Sequence, residues 1–228
     1  MAFFNYETHM HTSQGSACGL AAGGKMAEYY KSLGYTGFIV TDHFFGGNTA
    51  VSENQPWPDA VEQFCSGYED AKKRGGEIGF DVFFGFEYCF RGTEFLVYGL
   101  DKEWLLHNPQ IIEPEIKRNL KKALHIFKES GAVIIHAHPF REAPYIDMLR
   151  FLPEYTDAVE IFNPRNTKEQ NMKAGVYAKM YGFTEVSGGD AHSVNAEAAG
   201  IRTKRRAGSF EELLGFIRAR AFCPVKNM

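Results

Sequence analysis

The chain has 228 residues, 44% of them hydrophobic and 23% charged, with a formal net charge of −3. These values exclude disordered and fibrous classes, suit one barrel-sized domain over residues 1–228, and give no basis for binding long nucleic acid. No apolar run approaches the ~20 residues of a membrane helix, and the start MAFFNYETH is too short and polar for a signal peptide, so no membrane association and a cytoplasmic location are expected.

In chain order, Phe3 to Tyr6 reads as a first strand running into His9. Met26, Tyr30 and Leu33 repeat at helical spacing, and Gly34 stops that helix. Gly37 to Thr41 and Asp81 to Phe84 are strands of the buried type, and Phe95 to Tyr98 is a further one. Between them, Phe44 to Pro58 reads as a rim loop able to act as a lid. Ile116, Leu120, Leu124 and Phe127 trace one apolar face of a long helix ending at Gly131. Strands follow at Ala132 to Ile135, Ala158 to Phe162 and Phe183 to Ser187, then a helix at Phe210 to Ile217 and an apolar piece at Ala221 to Cys223. Strand–helix alternation predicts a parallel sheet flanked by helices, and about seven units fit a closed α/β barrel better than an open sheet. No G-x-G-x-x-G or P-loop sequence follows any strand, which removes the dinucleotide and P-loop readings.

A barrel carries its active site at the C-terminal ends of its strands. His9-Met10-His11, Asp42-His43, Glu87, His136-Ala137-His138 and Asp190-Ala191-His192 all fall at such ends, and Glu160 lies within the strand Ala158 to Phe162. In extended chain, residues i and i+2 point the same way, so His9/His11 and Asp190/His192 are each expected to form a two-toothed claw. Imidazoles and carboxylates are ligands for Zn, Fe or Mn, and a carboxylate can bridge two ions. His125, beside Lys121 and Lys128 on a polar helix face, and His107, in a loop before Pro109, read as solvated surface residues. The four cysteines, Cys18, Cys65, Cys89 and Cys223, form no C-x-x-C pair.

The order His-x-His, Thr-Asp-His, Gly-x-Glu, Ala-His-Pro and Gly-Asp-x-His resembles the PHP (polymerase and histidinol phosphatase) family of metal-dependent phosphoesterases, over nearly the whole chain including Gly200 to Thr203. The resemblance implies a distorted (β/α)7 TIM-like barrel with two or three divalent metal ions at its rim. It implies that His9 and His11 bind one metal with Glu87 and Asp190, that Glu87 bridges to a second held by His138, and that His43 and His192 hold a third. Glu7 is placed to orient an imidazole, and Asp42 and His136 to support the site. Two departures bear on the metal set. Where the family commonly has an acid or histidine after H-x-H, this chain reads Thr12 to Gly19, with Ser16 and the soft ligand Cys18. Where the family often has a histidine before the strand after Gly-x-Glu, this chain has Glu94.

The implied activity is phosphomonoester or phosphodiester hydrolysis by a metal-bound hydroxide, with Asp190, His192 and Arg141 at the chemistry and a small phosphorylated molecule, nucleotide or oligonucleotide end as substrate. Arg141 is the expected phosphate binder, ahead of Arg165 and Arg91. Phe44-Phe45 and Tyr88 to Phe90 either line a substrate pocket or fill the core. Two alternatives stand: an amidohydrolase-like metal hydrolase, disfavoured because no strand ends in lysine, and a non-catalytic, metal-stabilised PHP domain acting through a partner.

Overall fold

A computed structural model describes residues 2–226. In chain order the strands are β1 (Phe4–Met10), β2 (Gly37–Val40), β3 (Asp81–Phe90), β4 (Thr93–Tyr98), β5 (Val133–His136), β6 (Ala158–Phe162), β7 (Thr184–Ser187), β8 (Gly200–Thr203) and β9 (Phe222–Val225). The helices are α1 (Gly23–Ser32), α2 (Trp57–Ile78), α3 (Lys102–His107), α4 (Pro114–Lys117), α5 (Leu120–Glu129), α6 (Lys168–Tyr181) and α7 (Phe210–Arg218), with a 3-10 turn at Pro109–Ile112. The nine strands form one sheet in the order β7-β6-β5-β4-β3-β2-β1-β8-β9. It curls into a nearly closed α/β barrel, with β7 lying against β8 and β9 but no ladder joining them among the described residues.

The α/β barrel expectation holds, while the sheet is mixed rather than all parallel. β1 pairs parallel with β2, β2 with β3, β5 with β6 and β6 with β7. β4 runs antiparallel between β3 and β5, and β8 antiparallel to β1. The cause of the β3–β4 hairpin is local. Arg91 and Gly92 both take positive φ, 51° and 80°, which is the backbone of a tight two-residue reversal. The long helix expected from Ile116 is two helices. Asn119 caps α5 by accepting the Lys122 amide at 3.1 Å, so Ile116 belongs to the preceding short α4. Helices α2 and α6 were not anticipated. α6 carries no clear apolar stripe, because Met172, Val176 and Met180 face outward while Ala174 and Tyr177 face inward.

One core cluster joins Tyr6, Ile39, Leu96, Ile135, Ala158, Val186 and Ile201 to Leu213, Leu214 and Ile217 of α7. α7 therefore plugs the end of the barrel at which β1 and β3 begin, leaving the opposite end for the histidines. Phe44 and Phe45 are buried against Phe64, Phe86 and Trp57, and Tyr88 against Phe127, so these aromatics belong to the core, while Phe90 is only partly buried beside a surface recess. The segment after them is joined to the loop after His11: Ala17 N–H donates to Asn48 O and Ala50 N–H to Gly15 O, both at 2.9 Å. No helix among the described residues is long and apolar enough to cross a membrane.

Candidate metal centre

β1 carries His9 to the rim and His11 follows it; both are fully buried, with their Nε2 atoms 3.2 Å apart. Glu87 of β3 stands at the middle of the cluster and divides its two oxygens. Oε1 lies 3.2 Å from Nε2 of both His9 and His138, while Oε2 lies 2.9 Å from His43 Nδ1 and 3.6 Å from His11 Nε2. Asp190 Oδ1 lies 3.3 Å from His11 Nε2, 3.7 Å from His9 Nε2 and 3.5 Å from His192 Nδ1. Glu94 of β4 reaches the same cluster, 3.5 Å from His138 Nε2 and 3.9 Å from His43 Nδ1.

His138 and Asp190 are not in extended chain. Their φ angles are +26° and +49°, a backbone that β-carbon-bearing residues adopt at a cost of order 1–3 kcal/mol. Asp190 and His192 thus meet the cluster through a left-handed turn and not as successive teeth of a strand. His136, at the end of β5, points elsewhere: its ring stacks on Phe95 at 4.7 Å and is flanked by Phe151 and Tyr177.

Three histidines have their tautomer fixed from behind. His9 Nδ1 lies 3.0 Å from Glu160 Oε1, and His192 Nδ1 lies 2.7 Å from the Asp190 carbonyl oxygen. His11 Nδ1 lies 3.1 Å from Ser16 Oγ, whose own proton goes to Asp42 Oδ1 at 2.7 Å. Each partner is an acceptor, so each Nδ1 carries the proton and each Nε2 presents a lone pair.

Behind them Glu160 also accepts the His138 amide and the Asn163 side chain, both at 3.0 Å. The lone charged residue inside an apolar strand was the sequence signal for this role. Glu7 does not orient an imidazole. It accepts the amides of Thr8, His9, Gly189 and Ala199 and the Tyr30 hydroxyl, and so ties β1 to the Gly189 turn. Asp42 accepts the Thr12 amide and hydroxyl, both at 2.7 Å, and so holds the loop after His11. Tyr98, unremarked in the sequence, donates to the Thr8 carbonyl beneath His9.

The electrostatics follow from burying charges together. Burial disfavours the charged form of Glu87, but His9, His43 and His138 hold it well below the usual carboxylate range. Burial and the neighbouring Glu87 charge push Glu94 up to about 7. Burial raises the Cys18 thiol, yet hydrogen bonds with His192 and His43 together bring it down to about 6.

The donors fit divalent metal. His9/His11/Asp190, His9/Glu87/His138, His43/Glu87/Glu94 and His11/His43/His192 each offer three ligand atoms within 4.8 Å of one another. His43 Nδ1 and Glu87 Oε2 are buried and lie 2.9 Å apart with no further hydrogen-bond partner, so both are available to a metal ion. At the edge, Arg141 Nη1 and Arg165 Nε lie 2.7 and 3.5 Å from Asp190 Oδ2. Arg91 lies outside, exposed and 3.9 Å from Asp147. His107, at the end of α3, and His125 are exposed surface residues.

Solved structures share the fold that carries these residues. A two-domain protein of Bacteroides vulgatus containing a predicted PHP-like metal-dependent phosphoesterase superposes with a TM-score of 0.72 at 13% identity, covering 99% of this chain and 65% of that one. The chain shares the fold of that structure. An amidohydrolase of Chromobacterium violaceum aligns with a TM-score of 0.55 at 14% identity, over 82% of this chain and 87% of that one. In sequence, an uncharacterised protein of Methanocaldococcus jannaschii is 38% identical over 90 residues, 35% of this chain and 38% of that protein. The alignments thus span less than two thirds of the archaeal protein and of the Bacteroides chain. No family model matches the sequence.

Proposed function

We propose that this chain is a metal-dependent phosphoesterase of the PHP type, acting on a small phosphorylated substrate. His9, His11, His43, Glu87, His138, Asp190 and His192, joined by Glu94, would hold two or three divalent ions. The observation that carries this reading is the convergence of four imidazoles on the two oxygens of one buried glutamate, Glu87, with two arginines beside the same centre. Divalent ions held there would supply Lewis-acid stabilisation of a phosphoryl group and a nucleophile at neutral pH.

The chain's own groups do the rest. Glu160, Ser16 and the Asp190 carbonyl keep three Nε2 lone pairs turned inward. Asp190 faces the imidazoles with Oδ1 and Arg141 with Oδ2. Arg141 Nη2 is buried and makes no hydrogen bond, leaving a donor for a nonbridging phosphate oxygen. This arginine pair favours a phosphate ester over an amide. Among the described residues no lysine is buried that could serve as the carboxylated bridge of an amidohydrolase.

Purified protein supplied with Mn²⁺, Fe²⁺ or Zn²⁺ should hydrolyse p-nitrophenyl phosphate or bis-p-nitrophenyl phosphate, and comparing the two separates mono- from diesterase. Absence of turnover of both by protein shown by elemental analysis to be loaded overturns the reading.

A further inference from the structure

At the end of the barrel opposite the metal centre, α7, β8 and β9 border a recess of about 820 Å³, within the size range of small-molecule sites. Its place follows from the strand register. Arg202 and Thr203 of β8 pair with Asn5 and Phe4 at the start of β1, whereas His9 and His11 stand at and just beyond the far end of that strand. Ile201 and Thr203 are buried, so Arg202 and, just past the strand, Lys204 face outward into the recess. The turn that follows is held on both sides. Thr203 Oγ1 donates to the Arg205 carbonyl oxygen at 2.6 Å, and Arg206 forks onto Asp81 at 2.6 and 2.9 Å, which sets Lys204 and Arg205 at its apex. The Arg205 guanidinium lies over the Phe216 ring at 5.4 Å, and that of Arg202 over Phe3 at 5.6 Å. Arg220, at the turn from α7 into β9, lines the same recess with φ +54°, a position after a helix that glycine usually fills. Against these four cations, Glu212 is the one carboxylate among the described lining residues, 3.7 Å from Arg205.

We infer that this recess is a binding site for a nucleoside phosphate, separate from the metal centre. The whole chain carries −3, so four cations against one carboxylate is a local concentration of positive charge and not a reflection of composition. A guanidinium laid flat on an aromatic ring has its plane fixed, and its N–H edge is the part that matches phosphate oxygens. Arg205 is so placed, and the exposed Lys204 beside it adds a point charge. Phe3 is 54% exposed and Phe222 half-buried, which supplies aromatic faces on which a base can stack. Inorganic phosphate would leave the rings unused, and an apolar molecule would leave the cations uncompensated. A nucleoside phosphate uses both. No residue of the recess belongs to the metal cluster, so the site stands or falls independently of the phosphoesterase reading.

The test is fluorescence titration of the purified protein with N-methylanthraniloyl-ADP in EDTA, which keeps metal out of the centre. The wild type should bind the probe saturably. Unlabelled ADP should displace it at concentrations at least ~10-fold below those needed with pyrophosphate, because only ADP can stack on the rings. Lys204→Ala combined with Arg205→Ala, both at exposed positions, should weaken the probe by at least ~10-fold, or ~1.4 kcal/mol. Arg141→Ala, at the edge of the metal centre, should bind it as the wild type does. Absence of saturable binding, or full binding by the double variant with unchanged circular dichroism, overturns the site. Loss of binding in Arg141→Ala overturns it too, by placing the probe at the metal centre. Equal displacement by ADP and pyrophosphate overturns the nucleoside assignment. Displacement by poly-glutamate as effective as by ADP does the same, and gives the recess to an acidic polypeptide instead.

Discussion

Arg141 Nη1 stands 2.7 Å from Asp190 Oδ2, the oxygen turned away from the cluster's imidazoles. The pair ties the turn after β5 to the turn after β7, each of which contains a residue held at positive φ, His138 and Asp190. One carboxylate therefore serves two purposes: one oxygen faces the candidate ligands, and the other orients a guanidinium with a second donor free. Arg141→Ala should lower kcat/KM for p-nitrophenyl phosphate by about 10- to 100-fold, equivalent to about 1.4–2.7 kcal/mol of transition-state stabilisation. Arg141→Lys should recover only part of it, because an ammonium cannot make two parallel contacts. Steady-state kinetics at equal metal occupancy provides the check, and unchanged kcat/KM in Arg141→Ala would remove this residue from substrate binding.

Asp190 is better probed by asparagine than by alanine. At φ +49° asparagine is among the residues that tolerate the left-handed region, so Asp190→Asn removes the charge with little backbone penalty. The variant should keep its circular dichroism, carry fewer equivalents of metal on elemental analysis, and lose turnover by at least ~100-fold. Full metal content with full turnover would exclude Asp190 from the centre.

Gly188 is where backbone room controls the supporting layer. A β-carbon there would lie 2.2 Å from Glu160 Oε1 and 2.6 Å from His9 Cβ. Gly188→Ala should therefore push Glu160 off His9 Nδ1 and weaken metal binding by about 10- to 100-fold, the range seen when groups behind metal ligands are disturbed. Gly175, inside α6 with open space where a methyl group would sit, is the matched control. Gly175→Ala should leave metal affinity alone and raise stability by about 0.5–1 kcal/mol. Isothermal titration with Zn²⁺ and thermal unfolding distinguish the two variants.

The site was legible wherever chemistry coincided with strand ends. His9, His11, His43, His138, Asp190 and His192 each follow or close a short apolar run, so their common rim could be read without coordinates. Glu87 was legible as a strand-end carboxylate, although β3 in fact continues past it to Phe90. The hairpin was not legible, because β3 and β4 are both largely buried with no polar alternation to set them apart, and only the Arg91-Gly92 turn marks the reversal. Nor were the supporting contacts: Glu160 meets His9 across 151 positions, and only the closed sheet brings them together. α6 escaped notice because its outward face is as apolar as its inward one, which erases the helical period.

His136 shows how a histidine next to the cluster can belong to the core, and its burial makes a prediction about acid stability. Desolvation, assisted by the nearby His138, lowers its pKa from 6.5 to about 3. Above pH 6.5 the ring is neutral in the folded and unfolded chain, so its contribution to stability is complete there. As pH falls from 6.5 toward 3, the unfolded chain takes up a proton that the folded chain refuses, and stability is lost at up to ~1.4 kcal/mol per pH unit. Phenylalanine preserves the stacking on Phe95 and takes away a ring nitrogen, Nδ1, that has no hydrogen-bond partner. His136→Phe should therefore lose less stability than the wild type between pH 6.5 and pH 4, with little difference between the two slopes above pH 7. Urea unfolding of metal-stripped wild type and variant across that range measures it. A stability difference between them that stays constant with pH would mean that His136 takes up its proton at the same pH in the folded chain as in the unfolded one.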